Sequence, residues 1–324
     1  MSQIPTRPKI LLTHPDIPKE AIDIMSPNCE IITCTGRPAT RQEILQKLPG
    51  VHGLLWCTKE MLDKEVLDAA GQSLLAISTM SAGLDNVDLP EIRKRNIPIG
   101  YTPGVLNNAV ADLTVGLIIS TARRFVEASD RIAKGTWGSG PAWFLGQNVS
   151  ESTVGIVGLG EIGQAVAKRL KAFSMTIIYT GHNQKPEGDE LGAQFVTMNE
   201  LLERSDFVVV TCPLTSETRG MFDAEKFAKM KKTACFINVS RGAIVNQNDL
   251  VNALTNKTIY AAGLDVMTPE PLPQDHPLLK LPNCTLLPHI GSATKQTRID
   301  MATIATYNIL QGISGENMFA PVPK

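Results

Sequence analysis

Neither sign of charge is in surplus: 31 lysines and arginines stand against 32 aspartates and glutamates in 324 residues, for a net charge of -1. Such a balance gives no long-range field to draw in polyanions, so neither nucleic acid nor an anionic membrane surface is an expected partner. Long apolar runs are lacking as well. The most apolar stretch, residues 113–122, contains Thr114, Ser120 and Thr121 and is closed by Arg123 and Arg124. It falls far short of the roughly 20 residues that cross a bilayer, so a buried helix is expected there. The opening residues 1–8 include Pro5 and Pro8 and are followed only by the short run Ile10-Leu11-Leu12. That excludes a secretory h-region and leads to the expectation of a soluble, cytoplasmic protein.

Clustered metal or disulfide ligands are missing too. No Cys-x-x-Cys spacing occurs among Cys29, Cys34, Cys57, Cys212, Cys235 and Cys284, and several of them sit inside apolar runs such as residues 207–213. They read as buried free thiols of a reducing compartment. The histidines, His14, His52, His182, His276 and His289, are scattered, so no structural metal is expected. No repeat of solenoid period and no low-complexity tract interrupts the chain.

What is present is alternation. In the first hundred residues, β-rich runs at 9–13, 29–33, 53–56, 74–80 and 97–102 are separated by amphipathic stretches at 40–48, 63–71 and 88–96. A second series of runs follows at 154–157, 176–179, 207–210, 235–239, 261–266 and 284–287. Strand and helix alternating in this way predict two open parallel sheets covered by helices, Rossmann-like or flavodoxin-like, with an active-site cleft between the two domains. One long helical stretch, about 108–134, is expected between them. It should end where Gly135, Gly138, Gly140 and Pro141 forbid continuation, and Trp137 and Trp143 follow in a loop that needs an apolar surface to cover. A final helix at about 294–310 is expected to cross back and pack on the first domain. The domains are then a discontinuous substrate-binding domain, 1–107 plus 290–324, and a dinucleotide-binding domain, 108–289.

The segment Gly158-Leu159-Gly160-Glu161-Ile162-Gly163 follows the β-rich run 153–157, and Ile162, Val166, Leu170 and Phe173 then recur at helical spacing. A lone Gly-x-Gly-x-x-Gly is weak evidence, but strand, turn and amphipathic helix together make a dinucleotide site. Gly158 permits the tight turn, Gly160 lets the backbone approach a pyrophosphate, and Gly163 lets the helix pack close, with unpaired helix N-terminal amides aimed at the phosphates. An acid at the end of the next strand would bond a ribose 2′-hydroxyl and repel a 2′-phosphate. Here the chain reads Thr180-Gly181-His182-Asn183-Gln184-Lys185, and the first acid is Glu187. Donors and a cation in that place favour NADP(H), with NAD(H) as the second choice. On the plainer reading, Lys185 is a solvated loop charge.

Arg241, Glu270 and His289 each come after a predicted strand. A 2-keto acid carries a carboxylate beside its carbonyl and becomes an alkoxide as hydride arrives. The planar fork of Arg241 suits the carboxylate and carbonyl oxygen. His289, of the residue type that titrates near neutral pH, suits the proton donor. Glu270 can accept from the other imidazole nitrogen and orient the ring, an acidic partner that favours its protonated form. Singly, each has a bland alternative as a salt-bridge partner or a capped turn. His276, in the loop Asp275-His276-Pro277, reads as structural.

Asn238-Val239-Ser240-Arg241-Gly242, Gly263-Leu264-Asp265-Val266 with Pro269-Glu270-Pro271, and Pro288-His289-Ile290-Gly291 resemble the three signature segments of the D-2-hydroxyacid dehydrogenases. Within that family the likeness is greatest to the reductases of glyoxylate and hydroxypyruvate. It runs from Ser81-Ala82-Gly83-Leu84-Asp85 through Cys212-Pro213-Leu214-Thr215 to Gly291-Ser292-Ala293-Thr294. The resemblance implies NADPH-dependent reduction of glyoxylate and hydroxypyruvate. It further implies that the backbone amides of Ala82 and Gly83 hold the substrate carboxylate, that Asp265 lies near the nicotinamide carboxamide, and that Pro213, Val239 and Gly291 line the nucleotide. A homodimer is the family's habit and would cover the apolar helix 110–119 and the tryptophan loop. The loop after Trp137 departs from these reductases, which carry a further tryptophan where this chain has Gly138-Ser139-Gly140; an aromatic from that loop is held to reach the neighbouring subunit's site. Trp137 or Trp143 could substitute. Competing expectations are a relative acting on another 2-keto acid and a non-catalytic NAD(P)-sensing protein of corepressor type. A phosphoglycerate enzyme with a regulatory domain has no room after Lys324, and formate oxidation has no use for the His289-Glu270 pair.

Overall fold

The computed structural model describes residues 6–323; residues 1–5, where the reading of the N-terminal segment begins, and Lys324 lie outside the described residues. The chain forms two compact units, Met1–Leu106 with Ala293–Lys324, and Asn107–Ser292.

In the first unit the elements are β1 (Lys9–Leu12), α1 (Lys19–Met25), β2 (Glu30–Thr33), α2 (Arg41–Lys47), β3 (Gly53–Trp56), α3 (Lys64–Ala70), β4 (Ala76–Thr79), α4 (Leu89–Lys94) and β5 (Ile99–Gly100). The five strands pair in parallel in the order β2-β1-β3-β4-β5. Strands β3 and β4 are buried throughout, which explains their continuous apolar runs. Helices α2, α3 and α4 begin where Thr40, Asp63 and Asp88 accept the N–H groups of Glu43, Val66 and Glu91. The expected run at 97–102 shortens to Ile99–Gly100 because Tyr101 N turns to Ala320 O and Thr102 N to Ser81 O.

The second unit holds α5 (Asn107–Ala122), α6 (Phe125–Ala133), β6 (Thr153–Val157), α7 (Glu161–Leu170), β7 (Thr176–Thr180), α8 (Pro186–Leu191) and β8 (Gln194–Phe195). It continues with α9 (Met198–Arg204), β9 (Phe207–Val210), α10 (Ala224–Lys229), β10 (Cys235–Asn238), α11 (Gln247–Thr255), β11 (Ala261–Leu264) and β12 (Cys284–Leu286). Its seven strands are ordered β12-β11-β10-β9-β6-β7-β8 and all pair in parallel. From β6 the chain builds outward through β7 to β8, then restarts on the other side at β9. The loops after β6 and β9 therefore flank the point where strand order reverses, the place where open α/β sheets bind ligands. The chain then enters α12 (Lys295–Ser314), which packs on β3, β4 and β5 of the first unit. There Asn308 donates to Ser78 Oγ and Tyr101 O and accepts from Ala320 N at 2.7 Å.

Three expectations need correction. The helical stretch at 108–134 is two helices, broken at Arg124, which adopts φ 57. Its guanidinium bonds Glu127 at 2.8 Å and Leu145 O at 3.0 Å and lies 4.0 Å from the centre of the Phe144 ring. The apolar residues of α5, among them Val110, Leu117 and Ile118, are buried within their own unit, against α7, β10, β11 and β12. The exposed apolar surface is instead Phe125, Val126 and Ile132 of α6, with Trp137 (73% exposed) and Leu145. Finally, the second junction falls at Ser292–Ala293, three residues beyond the expected one, because Ile290 and Gly291 are bonded to Asp265.

Candidate active site

At the end of β6, Gly158 turns with φ 97, and a Cβ there would lie 2.7 Å from the Cα and N of Cys212 in the loop after β9. Only glycine fits both demands. At Gly163 a Cβ would meet Gly158 O at 2.4 Å, so the start of α7 can approach the turn only without a side chain. Gly160 is the N-cap of α7, makes no side-chain cap, and has no heavy atom within 4 Å of an added Cβ. The first amides of α7, at Glu161, Ile162 and Gly163, thus lack a capping side chain and face an open cradle with the positive end of the helix dipole. A dinucleotide pyrophosphate fits that donor set.

The neighbouring strand ends are tied to this turn. Thr211 Oγ1 donates to Gly158 O at 2.6 Å, Gly158 N donates to Thr180 O at 2.9 Å, and Ser240 Oγ donates to Cys212 O. Leu159 is buried in the core, and the Glu161 carboxylate accepts from Asn107 Nδ2 at 2.7 Å. Pro213 is exposed after β9, and Val239 N pairs with Val210 O after β10. Beyond β7, His182, Asn183, Gln184 and Lys185 are all exposed, and no carboxylate ends the strand. In the loop after β9, the Glu217 carboxyl is held below the usual carboxylate range chiefly by the Thr215 hydroxyl.

Arg241 lies in the loop after β10, its Nη1 donating to Ser240 O at 2.8 Å. Asn238, buried at the end of β10, brackets that loop by donating to Arg241 O at 2.9 Å and accepting from Ser240 N at 3.1 Å. Nothing in the sequence motif singles out this asparagine. Glu270, past β11, accepts the Met267 N–H through Oε1 at 2.9 Å and meets His289 Nδ1 through Oε2 at 2.9 Å. A carboxylate only accepts, so Nδ1 carries the hydrogen and Nε2 is the nitrogen that faces other chemistry.

His289 itself adopts φ 56, a conformation rare outside glycine. Asp265 holds it there. The Asp265 carbonyl accepts His289 N at 2.8 Å, and its carboxylate accepts Ile290 N and Gly291 N, each at 2.8 Å. Asp265 is 1% exposed, and burial pushes its carboxyl up, a shift the two amides partly offset. Asp265, Glu270, His289 and Gly291 therefore form one bonded cluster. His276 is elsewhere: its Nδ1 accepts Leu278 N at 3.2 Å and its Nε2 meets Gln247 at 2.9 Å.

Ala82 and Gly83 belong to the first unit, just past β4, where Ser81 Oγ accepts Gly83 N at 3.1 Å. Trp143 packs on Phe144, with ring centres 5.2 Å apart. All six cysteines are free. Burial pushes the Cys212 thiol up to about 11 and those of Cys235 and Cys284 up to about 12, so none of these three offers a thiolate at neutral pH. Among the described residues no helix is long and apolar enough to cross a membrane, and no three His, Cys, Asp or Glu side chains gather as a metal site.

Residues 115–291 match the family described as D-isomer specific 2-hydroxyacid dehydrogenase, NAD binding domain. A glyoxylate reductase/hydroxypyruvate reductase of Mus musculus is 49% identical over 316 residues, covering 96% of this chain and 96% of that protein. Among solved structures, a protein of Thermus thermophilus superimposes with a TM-score of 0.92 at 39% identity, covering 97% of this chain and 100% of that one. An NADPH-dependent glyoxylate/hydroxypyruvate reductase from Sinorhizobium meliloti, in complex with NADP and malonate, superimposes with a TM-score of 0.85 at 31% identity, covering 98% of this chain and 97% of that one.

Proposed function

The chain belongs to the D-isomer specific 2-hydroxyacid dehydrogenase family, and from that premise we propose that it reduces glyoxylate and hydroxypyruvate to glycolate and D-glycerate, with NADPH as coenzyme and His289 as proton donor. The observation that carries the reading is the 2.9 Å bond between His289 Nδ1 and Glu270 Oε2. It leaves Nε2 to give its proton to the carbonyl oxygen.

When bound, the coenzyme supplies the hydride that goes to the carbonyl carbon. Arg241 pairs with the substrate carboxylate and draws charge from the carbonyl oxygen. As the oxygen gains charge, His289 passes its Nε2 proton to it and becomes neutral. Glu270 keeps the ring in register throughout. Run backward, the same path oxidises the 2-hydroxy acid.

Two features support NADPH over NADH. No acid closes β7, and His182, Asn183, Gln184 and Lys185 offer donors and a cation where a 2′-phosphate would lie. The Sinorhizobium meliloti reductase is described as NADPH-dependent. A homodimer is part of the reading, since Phe125, Val126, Ile132 and Trp137 expose apolar area that a second copy would cover.

The test is a spectrophotometric assay of NADPH and NADH oxidation against a panel of 2-keto acids. Rapid oxidation of NADPH with glyoxylate and hydroxypyruvate is expected. No oxidation of either nucleotide with any acid would favour a nucleotide-sensing protein instead.

A further inference from the structure

Tyr179, in β7, is almost wholly buried, yet its hydroxyl reaches a residue beyond the strand. It accepts Lys185 N–H at 2.8 Å and donates to the carbonyl of the same residue at 3.3 Å. One phenol thus grips both backbone polar groups of Lys185 and closes residues 180–185 into a loop. The ring has little freedom of its own. Phe195 packs with its centre 5.3 Å away, and a Cβ on Gly188 would come within 2.7 Å of Tyr179 Cε1 and Oη.

Inside that loop the side chains make few hydrogen bonds of their own. Among the described residues, His182, Asn183 and Lys185 have no side-chain hydrogen-bond partner, and Gln184 makes only a 3.4 Å contact with Asp189. A run of exposed donors without internal bonds samples many conformations, and any anion it meets must offset the entropy of ordering it. Closure at the base removes the backbone share of that cost in advance.

We propose that Tyr179 is a positioning residue for coenzyme choice: its hydroxyl presets the loop whose side chains meet the 2′-phosphate of NADP(H). The inference rests on the coenzyme reading given above. NAD(H) carries a neutral hydroxyl in place of that phosphate and makes a smaller demand on the loop. A purely structural tyrosine would support both nucleotides equally, since both use the same turn after β6.

The experiment is calorimetric titration of NADP+ and NAD+ into the wild-type protein and Tyr179→Phe, with kcat measured at saturating NADPH. Phenylalanine keeps the ring and its packing and removes both bonds to Lys185, whose backbone can turn to water. The Kd for NADP+ is expected to rise about fivefold to tenfold, the scale of one or two net hydrogen bonds, while the Kd for NAD+ and kcat hold. Gly188→Ala, which displaces the ring, should give the same selective loss. Equal weakening for both nucleotides, or no change for either in a protein whose wild type favours NADP+, would overturn the proposal. A wild type that binds NAD+ more tightly than NADP+ would overturn the coenzyme reading itself, and this proposal with it.

Discussion

Asp265 Oδ2 accepts the amide hydrogen of Gly291 at 2.8 Å, while Oδ1 takes that of Ile290 at the same distance. One buried carboxylate therefore fixes the backbone immediately after His289. The cost of burying its charge is visible in the raised carboxyl, and the two charge-assisted bonds offset part of it.

Asp265→Asn preserves size but turns one acceptor into a donor facing an N–H. Leaving a buried amide unsatisfied costs about 1–3 kcal/mol, so the urea midpoint should fall accordingly. Because the turn that holds His289 at φ 56 is fixed by these bonds, kcat should fall as well, by up to about 100-fold, the cost of misplacing a reacting group by about 1 Å. Comparing urea unfolding with steady-state rates checks both; a variant with wild-type stability and rate would remove Asp265 from the account.

Glu43 gives a pH-dependent prediction. Its carboxyl is held down to about 2, first by the N–H of Thr35 and then by Lys47, against an ordinary value of 4.5. A depressed carboxyl contributes stability that is present above the ordinary value and is lost as pH falls through the folded one. Glu43→Gln should therefore be the less stable protein at neutral pH, with the gap closing between pH 4.5 and about 2. Denaturation midpoints across that window test it; a gap constant with pH would contradict it.

The glycine turn is legible in the sequence because each glycine answers a local demand: a positive φ at Gly158, contact with Gly158 O at Gly163, open space at Gly160. Arg241, Glu270 and His289 are legible from residue type and order after strands. The hold of Asp265 on the His289 turn is not, since its amide partners lie 25 and 26 residues downstream and nothing around Asp265 points to them. Nor is the break at Arg124. Arginine is a good helix former, and the left-handed residue is fixed by contacts with Phe144 and Leu145 made only in the folded unit. With that break, the exposed apolar face moves from α5 to α6. Two-residue β8 is too short to show a period. By contrast, the Thr197–Glu200 capping box that starts α9 is a sequence signal in plain view.

The most direct test of the central claim, that His289 held by Glu270 protonates the substrate oxygen, is kcat for His289→Gln with saturating NADPH and glyoxylate, alongside the Kd for NADP+. The account predicts a kcat lower by about 10²–10⁴-fold, the range for loss of a general acid, with the Kd unchanged. A kcat close to wild type, or a defect confined to nucleotide binding, would contradict it.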